Sequence, residues 1–477
     1  MTHVASDTPH APDHPAPPPE PRRWAALALV CLAQFMLILD VTVVNVALPD
    51  MAADLDLGRS TLTWAVTAYT LCFGGLMLLG GRLADALGAR RTLLAGLAVF
   101  TAASLITGLA GNAPVLLGGR IAQGIGAALL SPSALSVVTT TFHGAERNRA
   151  LGVWAAIGGS GAAAGVLVGG ALTEGPGWQW VFYVNVPVGL LVMAALPAFV
   201  AARAPQPARL DVPGALLVTG GTGALIFGLV EVGDSGWADP VTLLALAGAV
   251  LAYGLFAVAE RASRAPLMDL RMFTRRPVLA GAFLMLIATA LLIAFFFLGS
   301  VHLQHLRGFS PLETGLFFLP VAVATGIGAH LGSRLVGRIG SRTTAVAGMA
   351  IAAAGTVPLT RLSDTGSAYA ALLPGFAVAS LGIGAVFVTA TTTALAMVEH
   401  REAGLASGVV NTFHEVGGSI GVAVVSTVAA SGIEHGTAGG FTDAFTVCAV
   451  TAGAGAVVAL GLVPRGKPQT TGGPHVH

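Results

Sequence analysis

Three charged side chains lie inside long apolar stretches of the sequence, where ionised groups are costly. Asp40 stands within FMLILDVTVVNVALPD, Arg120 follows VLLGG, and Glu415 follows NTFH. A charged residue inside a membrane-spanning helix usually faces a partner or a water-filled cavity, and it often belongs to a proton or ion pathway. A carboxylate in such a place can take up and release a proton, and a neighbouring arginine favours its charged form. These three residues are therefore the candidates for chemistry.

The positions of Asp40 and Arg120 predict that the two charges approach each other. Asp40 lies nine residues before Pro49, at the outer end of its stretch, and Arg120 lies about six residues into a stretch that runs inward. With a rise of about 1.5 Å per residue, the depths are roughly 13 Å and 9 Å. We expect Asp40 and Arg120 to form or adjoin a proton site. A fixed structural ion pair is the alternative.

Glu415 is predicted to lie near the middle of the membrane. It is about twelve residues into its stretch, which corresponds to a depth of roughly 18 Å. A carboxylate at that depth could take up a proton or hold a cationic substrate, and the sequence leaves these two roles open. The alternative is a protonated glutamate that only bonds a neighbouring helix.

The composition requires a solvent other than water around most of the chain. The 477 residues are 55% hydrophobic and 10% charged, with a mean hydropathy of +0.80, whereas ordinary soluble domains carry roughly 25% charged residues. The net charge of +1 gives no reason to expect a nucleic-acid partner. Neither metal-ligand spacing nor a catalytic constellation is present, so we expect neither a metal site nor an enzyme.

The sequence gives no sign of a nucleotide-binding site that could supply energy. The only lysine, Lys467, stands in RGKPQT without a preceding glycine-rich loop. A phosphate-binding loop places its lysine directly after the glycines. We therefore expect no ATP and no bound cofactor, and any transport must draw its energy from an ion gradient, such as a proton gradient, or from a partner protein.

The apolar pattern predicts fourteen membrane-spanning helices. A spanning helix needs about 20 mostly apolar residues, and fourteen such segments follow one another from 24–48 to 441–463. With the N-terminus in the cytoplasm, 20 of the 24 Lys and Arg residues fall in cytoplasmic segments and three fall outside. Cytoplasmic loops are enriched in Lys and Arg. We therefore expect a multi-pass protein embedded in the lipid bilayer, with both termini in the cytoplasm.

An internal repeat divides the chain into halves. GGRLADALGARR (80–91) resembles GSRLVGRIGSRT (332–343), and GVWAAIGGSGAAAG (152–165) resembles GVVNTFHEVGGSIG (408–421), at spacings of 252 and 256 residues. Parallel repeats of this kind build transporters of two lobes. The predicted organisation is a disordered tail at 1–22, a six-helix lobe at 23–203, two inserted helices at 204–265, a second six-helix lobe at 266–464 and a tail at 465–477.

Six motifs in order resemble one known family. They are LDVTVVNVALP (39–49), WAVTAYTL (64–71), GRLADALGARR (81–91), RIAQGIGAALLSP (120–132), a glycine pattern in the fifth span and WQWVFYVNVPVG (178–189). The chain is similar to the fourteen-helix drug:proton antiporter branch of the major facilitator superfamily. This resemblance implies an all-α fold of two lobes that alternate access, and efflux of small hydrophobic or cationic drugs across the bacterial inner membrane. Glu415 stands where that family usually has glutamine.

The resemblance implies roles for three further groups of residues. The first group forms a gate between the lobes at the cytoplasmic end of the second span, and an ordinary positive-inside cluster is the alternative: Arg82, Asp85, Gly88 and Arg90. The second is the fifth-span glycine motif at the lobe interface, for which plain helix packing is the alternative: Gly152, Gly161, Gly165, Gly169 and Gly170. The third lines the substrate cavity, with generic packing as the alternative: Gln34, Asn45, Trp64, Tyr69, Asn411 and Phe413.

Two other functions compete with drug efflux. A symporter that drives nutrient uptake would use the same carboxylates, but the glycine motif and the added helix pair disfavour it. A transport-inactive sensor or membrane scaffold would need a larger soluble module than the short tails provide. The substrate, the number of protons per cycle and the oligomeric state do not follow from the sequence.

Overall fold

The computed structural model describes most of the chain outside the two tails. The described residues are 20–142, 144–201, 211–263, 266, 271, 274–362, 367–395, 403–435 and 437–466. The predicted tails lie almost wholly outside them, as does Lys467. The first helix begins at Glu20, two residues before the predicted end of the N-terminal tail.

The described chain is a bundle of long helices. They are α1 (Glu20–Leu55), α2 (Arg59–Leu87), α3 (Ala89–Gly108), α4 (Ala113–Thr141), α5 (Gly144–Glu174), α6 (Trp180–Tyr183), α7 (Asn185–Phe199), α8 (Val212–Ser235), α9 (Pro240–Ala262), α10 (Arg276–Val301), α11 (Pro311–Ile339), α12 (Ser341–Thr356), α13 (Ala368–Leu395), α14 (Ala403–Val428), α15 (Ala430–His435) and α16 (Ala438–Leu462). A π-helical turn at His302–Leu306 continues α10, and a 3₁₀ turn at Val357–Arg361 continues α12.

The helices account for the predicted spans. Within the described residues, twelve helical segments are long and apolar enough to cross a membrane. The 31-residue α5 and the 26-residue α14, each only partly described, occupy the positions of predicted spans five and thirteen. The predicted sixth span is interrupted, because α6 ends at Tyr183 and α7 begins at Asn185. The architecture therefore agrees with an all-α membrane protein of about fourteen spans.

The repeat detected in the sequence has the same local geometry in both halves. Gly88 separates α2 from α3 with φ 92°, and Gly340 separates α11 from α12 with φ 85°. This backbone region is unfavourable for residues with a Cβ, so glycine is the residue expected at both turns. Each glycine lets two membrane-length helices reverse direction through a single residue.

Two lobes meet along two seams. Helices α1–α7 pack mainly on one another, as do α10–α14 with α16. Across the boundary, α2 packs against α14 and α5 packs against α11. The sequence repeat pairs α2 with α11 and α5 with α14. The contact between α2 and α14 therefore corresponds to the contact between α11 and α5, as expected for halves related by a two-fold rotation. The inserted helices α8 and α9 pack on each other, and only α8 makes extensive contact with the lobes, at α2 and α14.

Candidate functional site

The first charged cluster is buried inside the first lobe. Asp40 on α1 and Arg120 on α4 are 0% and 1% exposed, and Arg120 Nη1 donates to Asp40 Oδ2 at 2.6 Å. The structure therefore brings together the two charges that the sequence places at similar depth. A buried ion pair is tolerated only when its remaining hydrogen-bonding groups are also satisfied.

Neighbouring polar groups complete this cluster. Gln123 Nε2 and Asn185 Nδ2 donate to Asp40 Oδ1 at 3.0 and 3.1 Å. Arg120 Nη1 also donates to Gln123 Oε1 at 3.0 Å, and its Nε donates to the Ala65 carbonyl at 2.8 Å. The Arg120 guanidinium lies 4.4 Å from the centre of the Tyr69 ring. Both charges are thus held by partners from several helices of one lobe.

Gln123, Asn185 and Ser104 also belong to this cluster, although none of them is among the residues predicted from the sequence. Gln123 also donates to Ser104 Oγ at 2.8 Å. Gln123 stands three residues after Arg120, so the two share a helix face, and that spacing would have identified it. Asn185 begins α7 directly after the break that follows α6. A polar residue at a break inside an apolar stretch is a comparable signal.

A cavity of about 960 Å³ lies between the two lobes. Ligand pockets typically measure about 300–1,000 Å³, so the cavity has room for a drug-sized molecule. Its wall comes from α1, α2, α4, α5, α10, α11, α13 and α14, and it extends from Thr70 and Glu415 to Asp85 and Thr139. The cavity therefore opens at the end of the bundle where α2 and α4 terminate, which we call the open end.

The opposite end of the bundle, which we call the closed end, is bridged across the lobes. Glu174 at the end of α5 accepts hydrogen bonds from Ser310 Oγ at 2.6 Å and from the Leu312 backbone at 3.1 Å. Gln304 Nε2 donates to the Val46 carbonyl at 2.8 Å. These contacts tie the two lobes together at that end, and none of these residues belongs to the cavity wall.

Glu415 is a carboxylate on the cavity wall. Its side chain is 11% exposed, and its Oε1 lies 3.2 Å from His414 Nδ1. Across the seam it approaches Gly74 on α2, where an added Cβ would lie 2.5 Å from the Glu415 Cβ. The His414 ring packs against Phe387, with ring centres 5.7 Å apart. Glu415 therefore contacts the cavity and the opposite lobe, whereas Asp40 and Arg120 are not part of the cavity wall.

The predicted gate residues lie at the open end. Arg82 and Asp85 line the mouth of the cavity, and Arg82 Nη2 donates to the Pro266 carbonyl at 3.0 Å. Among the described residues no cation pairs with Asp85. Gly88 forms the turn after α2, and Arg90 lies half-buried in the first turn of α3. The four residues are neighbours in the chain, and the bond from Arg82 reaches Pro266, in the segment between α9 and α10.

The fifth-span glycines mostly pack within one lobe. An added Cβ at Gly161, Gly165 or Gly169 would meet α1, for example Thr42 Oγ1 at 1.8 Å from the Cβ of residue 165. A Cβ at Gly170 would lie 2.7 Å from the Pro311 carbonyl oxygen of the other lobe. The nearest neighbours of the first three therefore belong to α1 of the same lobe, whereas Gly170 meets the other lobe. Gly152 lies in α5, but its surroundings are outside the described residues.

Only part of the predicted cavity lining faces the cavity. Gln34 and Asn411 belong to its wall, and the other four residues point elsewhere. Asn45 is buried and donates to the Val41 carbonyl at 2.7 Å, and Tyr69 belongs to the Arg120 cluster.

The remaining two of these four residues pack against apolar neighbours. Trp64 faces a separate groove between α2 and the inserted helices, and Phe413 packs against an apolar cluster that includes Leu78 and Val278. The prediction is wrong for all four because a sequence position does not determine how its helix is rotated in the bundle.

A bundle of membrane-length helices in two repeat-related lobes around a central cavity defines a two-lobed membrane transporter. The chain belongs to the Major Facilitator Superfamily, whose family model matches residues 30–422. Members of this superfamily are transporters, and the chain is accordingly a multi-pass membrane protein rather than an enzyme.

Several relatives of the chain are named as resistance or export proteins. The chain is 40% identical to the puromycin resistance protein pur8 of Streptomyces alboniger, over 88% of this chain and 85% of that protein. It is 38% identical to the cephamycin export protein CmcT of Amycolatopsis lactamdurans, over 89% of each chain. It is 36% identical to the lincomycin resistance protein of Streptomyces lincolnensis, over 92% of this chain and 90% of that protein.

Solved structures support the fold alone. A bacterial homolog of the human lysosomal transporter Spinster, in an inward-facing and unoccupied conformation, superposes with a TM-score of 0.65 at 16% identity. The match covers 93% of this chain and 98% of that one.

Proposed function

We propose that this protein exports small antibiotic-like molecules from the cell by alternating access, in exchange for protons that enter. The observation that carries the proposal is the drug-sized cavity between the lobes, with a carboxylate on its wall. The relatives named for resistance to or export of puromycin, cephamycin and lincomycin support export as the direction. The proposed location is the bacterial inner membrane, with both termini in the cytoplasm. In that orientation the open end faces inward and the closed end faces outward.

Glu415 is the proposed coupling group. Its carboxylate is accessible from the cavity and adjoins His414, and its Cβ and Cγ pack against Gly74 of α2 in the opposite lobe. A carboxylate that binds either a proton or the cationic part of a substrate, but not both, makes the two ligands mutually exclusive. That exclusion couples the two movements when the unoccupied protein changes conformation slowly, because each ligand then crosses in its own half of the cycle.

The Asp40 and Arg120 pair has a different proposed role. Both groups are buried and each Asp40 oxygen accepts at least one hydrogen bond, so protonation of Asp40 would have to break a hydrogen-bonded ion pair. We propose that Asp40 is protonated only when the first lobe rearranges, which would couple protonation to the conformational equilibrium. In the present conformation the pair holds α1 and α4 together. The cytoplasmic gate of Arg82, Asp85, Gly88 and Arg90 is proposed to join the lobes when the open end closes.

The test uses everted membrane vesicles and ethidium as a cationic probe. With an imposed pH gradient, the unmodified protein should accumulate ethidium inside the vesicles, and collapse of the gradient should abolish accumulation. Glu415→Gln should lower the gradient-driven rate by about tenfold or more, as expected for a group that acts in the mechanism. Glu231→Gln on α8 is the matched control, because Glu231 bonds only Ser235 of its own helix among the described residues.

The outcomes separate the competing functions. Accumulation that ignores the pH gradient would refute proton coupling, and movement of substrate in the same direction as protons would indicate a symporter. If no dye moves and no proton flux follows its addition, the sensor or scaffold function is favoured. If Glu415→Gln retains the rate and pH dependence of the control, Glu415 is not the coupling group.

A further inference from the structure

The inserted helix α8 takes part in a buried junction at the closed end. Arg59, the first residue of α2, has a side chain that is only 3% exposed. Its Nη2 pairs with the Asp234 carboxylate of α8 and donates to the Val230 carbonyl of the same helix at 3.3 Å. Its Nη1 donates to Ser426 Oγ of α14 at 3.4 Å. One guanidinium therefore joins the first lobe, the second lobe and the inserted helix.

Two further hydrogen bonds strengthen this junction. Thr63 Oγ1 on α2 contacts Ser426 Oγ on α14. Thr427 Oγ1 on α14 donates to the Leu229 carbonyl of α8 at 2.7 Å. Helix α8 is consequently bonded to both lobes at the place where α2 and α14 meet. The two lobes cannot separate there without breaking bonds either to α8 or to each other.

The placement of α8 differs from that of α9. Helix α9 packs mainly on α8, and only 17% of its most apolar 18-residue stretch is buried. Most of its surface is therefore left for lipid. Helix α8 has a polar end that reaches the lobe seam through Asp234. Helices α8 and α9 are not part of the two six-helix repeats. The contacts of α8 with both lobes indicate a role for the inserted pair.

We propose that Arg59, Asp234, Ser426 and Thr427 form a latch that holds the closed end shut, and that α8 belongs to the machinery of alternating access. The proposal rests on the alternating access proposed above. When the closed end opens, α2 must move away from α14, and Arg59 must lose either Ser426 or Asp234. The strength of the bonds to α8 then sets the balance between the two conformations.

The experiment measures exposure of the cavity to the closed end. Leu292 of α10 lies on the cavity wall, so Leu292→Cys is the reporter, in a background where Cys31, Cys72 and Cys448 are replaced by alanine. Intact cells are treated with a membrane-impermeant maleimide, which reaches the reporter only while the closed end is open. The labelling rate is compared among latch variants at equal amounts of membrane-inserted protein.

Asp234→Asn is the principal variant, because the Asp234 side chain is 39% exposed and tolerates substitution better than buried Arg59. It should raise the labelling rate about two- to fivefold, the range expected for a partly exposed ion pair. Thr427→Val should raise the rate as well, because it removes the bond between α14 and α8 without changing a charge. Glu231→Gln, which alters an acid elsewhere on α8, should leave the rate unchanged.

Two results would overturn the proposal in distinguishable ways. Equal labelling rates in Asp234→Asn, Thr427→Val and Glu231→Gln would show that α8 has no influence on the closed end, while transport could still proceed as proposed. If Leu292→Cys is never labelled from outside in any variant, the closed end does not open. That result would refute alternating access itself, and the latch with it.

Discussion

The two deep carboxylates of this protein have different surroundings. Asp40 accepts hydrogen bonds from Arg120, Gln123 and Asn185 and is fully buried. Glu415 lies on the cavity wall with His414 as its neighbour. The sequence identified both as acids in apolar segments, but their different access to the cavity depends on the neighbouring helices. At the scale of single residues, the two are expected to respond differently to substitution.

Removal of Arg120 is expected to destabilise the protein more than removal of the whole pair. Arg120→Met should lower the free energy of unfolding by about 3–5 kcal/mol, because it leaves the Asp40 carboxylate buried without its counter-charge. The double variant Asp40→Asn/Arg120→Met should recover part of that loss. Thermal unfolding of the purified protein in detergent measures both. Equal losses in the two variants would show that the unpaired Asp40 carboxylate is not the cause of the destabilisation.

The hydroxyl group of Tyr69 is a second buried polar group whose removal has a predictable effect on stability. It is buried and has no hydrogen-bond partner among the described residues. A buried unsatisfied polar group costs about 1–3 kcal/mol. Tyr69→Phe keeps the ring beneath Arg120, and we expect its thermal stability to equal or exceed that of the unmodified protein. A clear loss of stability would show that the hydroxyl has a bonded partner, such as a water molecule.

At the scale of the helices, close approach between α5 and its neighbours determines the packing. Three glycines let α1 lie directly against α5, and Gly170 lets α11 of the other lobe do the same. The sequence pattern predicted close packing, because small residues four apart permit it. It did not show which partner each glycine has. For Gly161, Gly165 and Gly169, the nearest neighbouring atoms belong to α1 of the same lobe and not to the other lobe.

Substitution of Gly170 should interfere with closure between the lobes. In Gly170→Ala the new Cβ would lie 2.7 Å from the Pro311 carbonyl oxygen, and this backbone cannot yield as a flexible side chain would. We expect the closed end to open more readily and ethidium export to fall several-fold, because small misfits in a packed interface cost about 1–3 kcal/mol. Export in everted vesicles measures the effect.

Gly220→Ala on α8 is the matched control for that variant. A Cβ at Gly220 meets no heavy atom within 4 Å, so export should be unchanged. If Gly170→Ala also exports at the full rate, the contact between α5 and α11 is not required for closure.

At the scale of the whole molecule, the two lobes and their charged loops define an orientation. The open end carries the turns after α2 and α11, which are rich in arginine, and the opposite end carries few basic residues. From the positive-inside rule we propose that the open end faces the cytoplasm. The orientation is a proposal that a direct experiment can test.

A fusion to the C-terminus should report a cytoplasmic location. Green fluorescent protein attached after His477 should fluoresce, because it matures in the cytoplasm, and alkaline phosphatase at the same place should be inactive. The same reporters placed after a truncation at Gly308, between α10 and α11, should show the reverse pattern, because Arg307 and Gly308 lie at the closed end. Phosphatase activity at the C-terminus would invert the proposed orientation.

The number of helices, the repeat and the deep charges followed from the sequence by itself. The free energy of transferring a helix into the membrane is a sum over about 20 residues, so the residue types alone are sufficient to predict which segments span. The approach of Asp40 to Arg120 could also be predicted, because depth along a helix is proportional to residue number.

Only the tertiary structure decided which side chains share a surface. The rotation of each helix and its neighbours placed Glu415 on the cavity wall, turned Trp64 toward the inserted helices and joined Arg59 to α8 and α14. In a bundle where most helices are apolar on every side, the pattern of residue types carries little information about rotation. Packing across the whole bundle determines it instead.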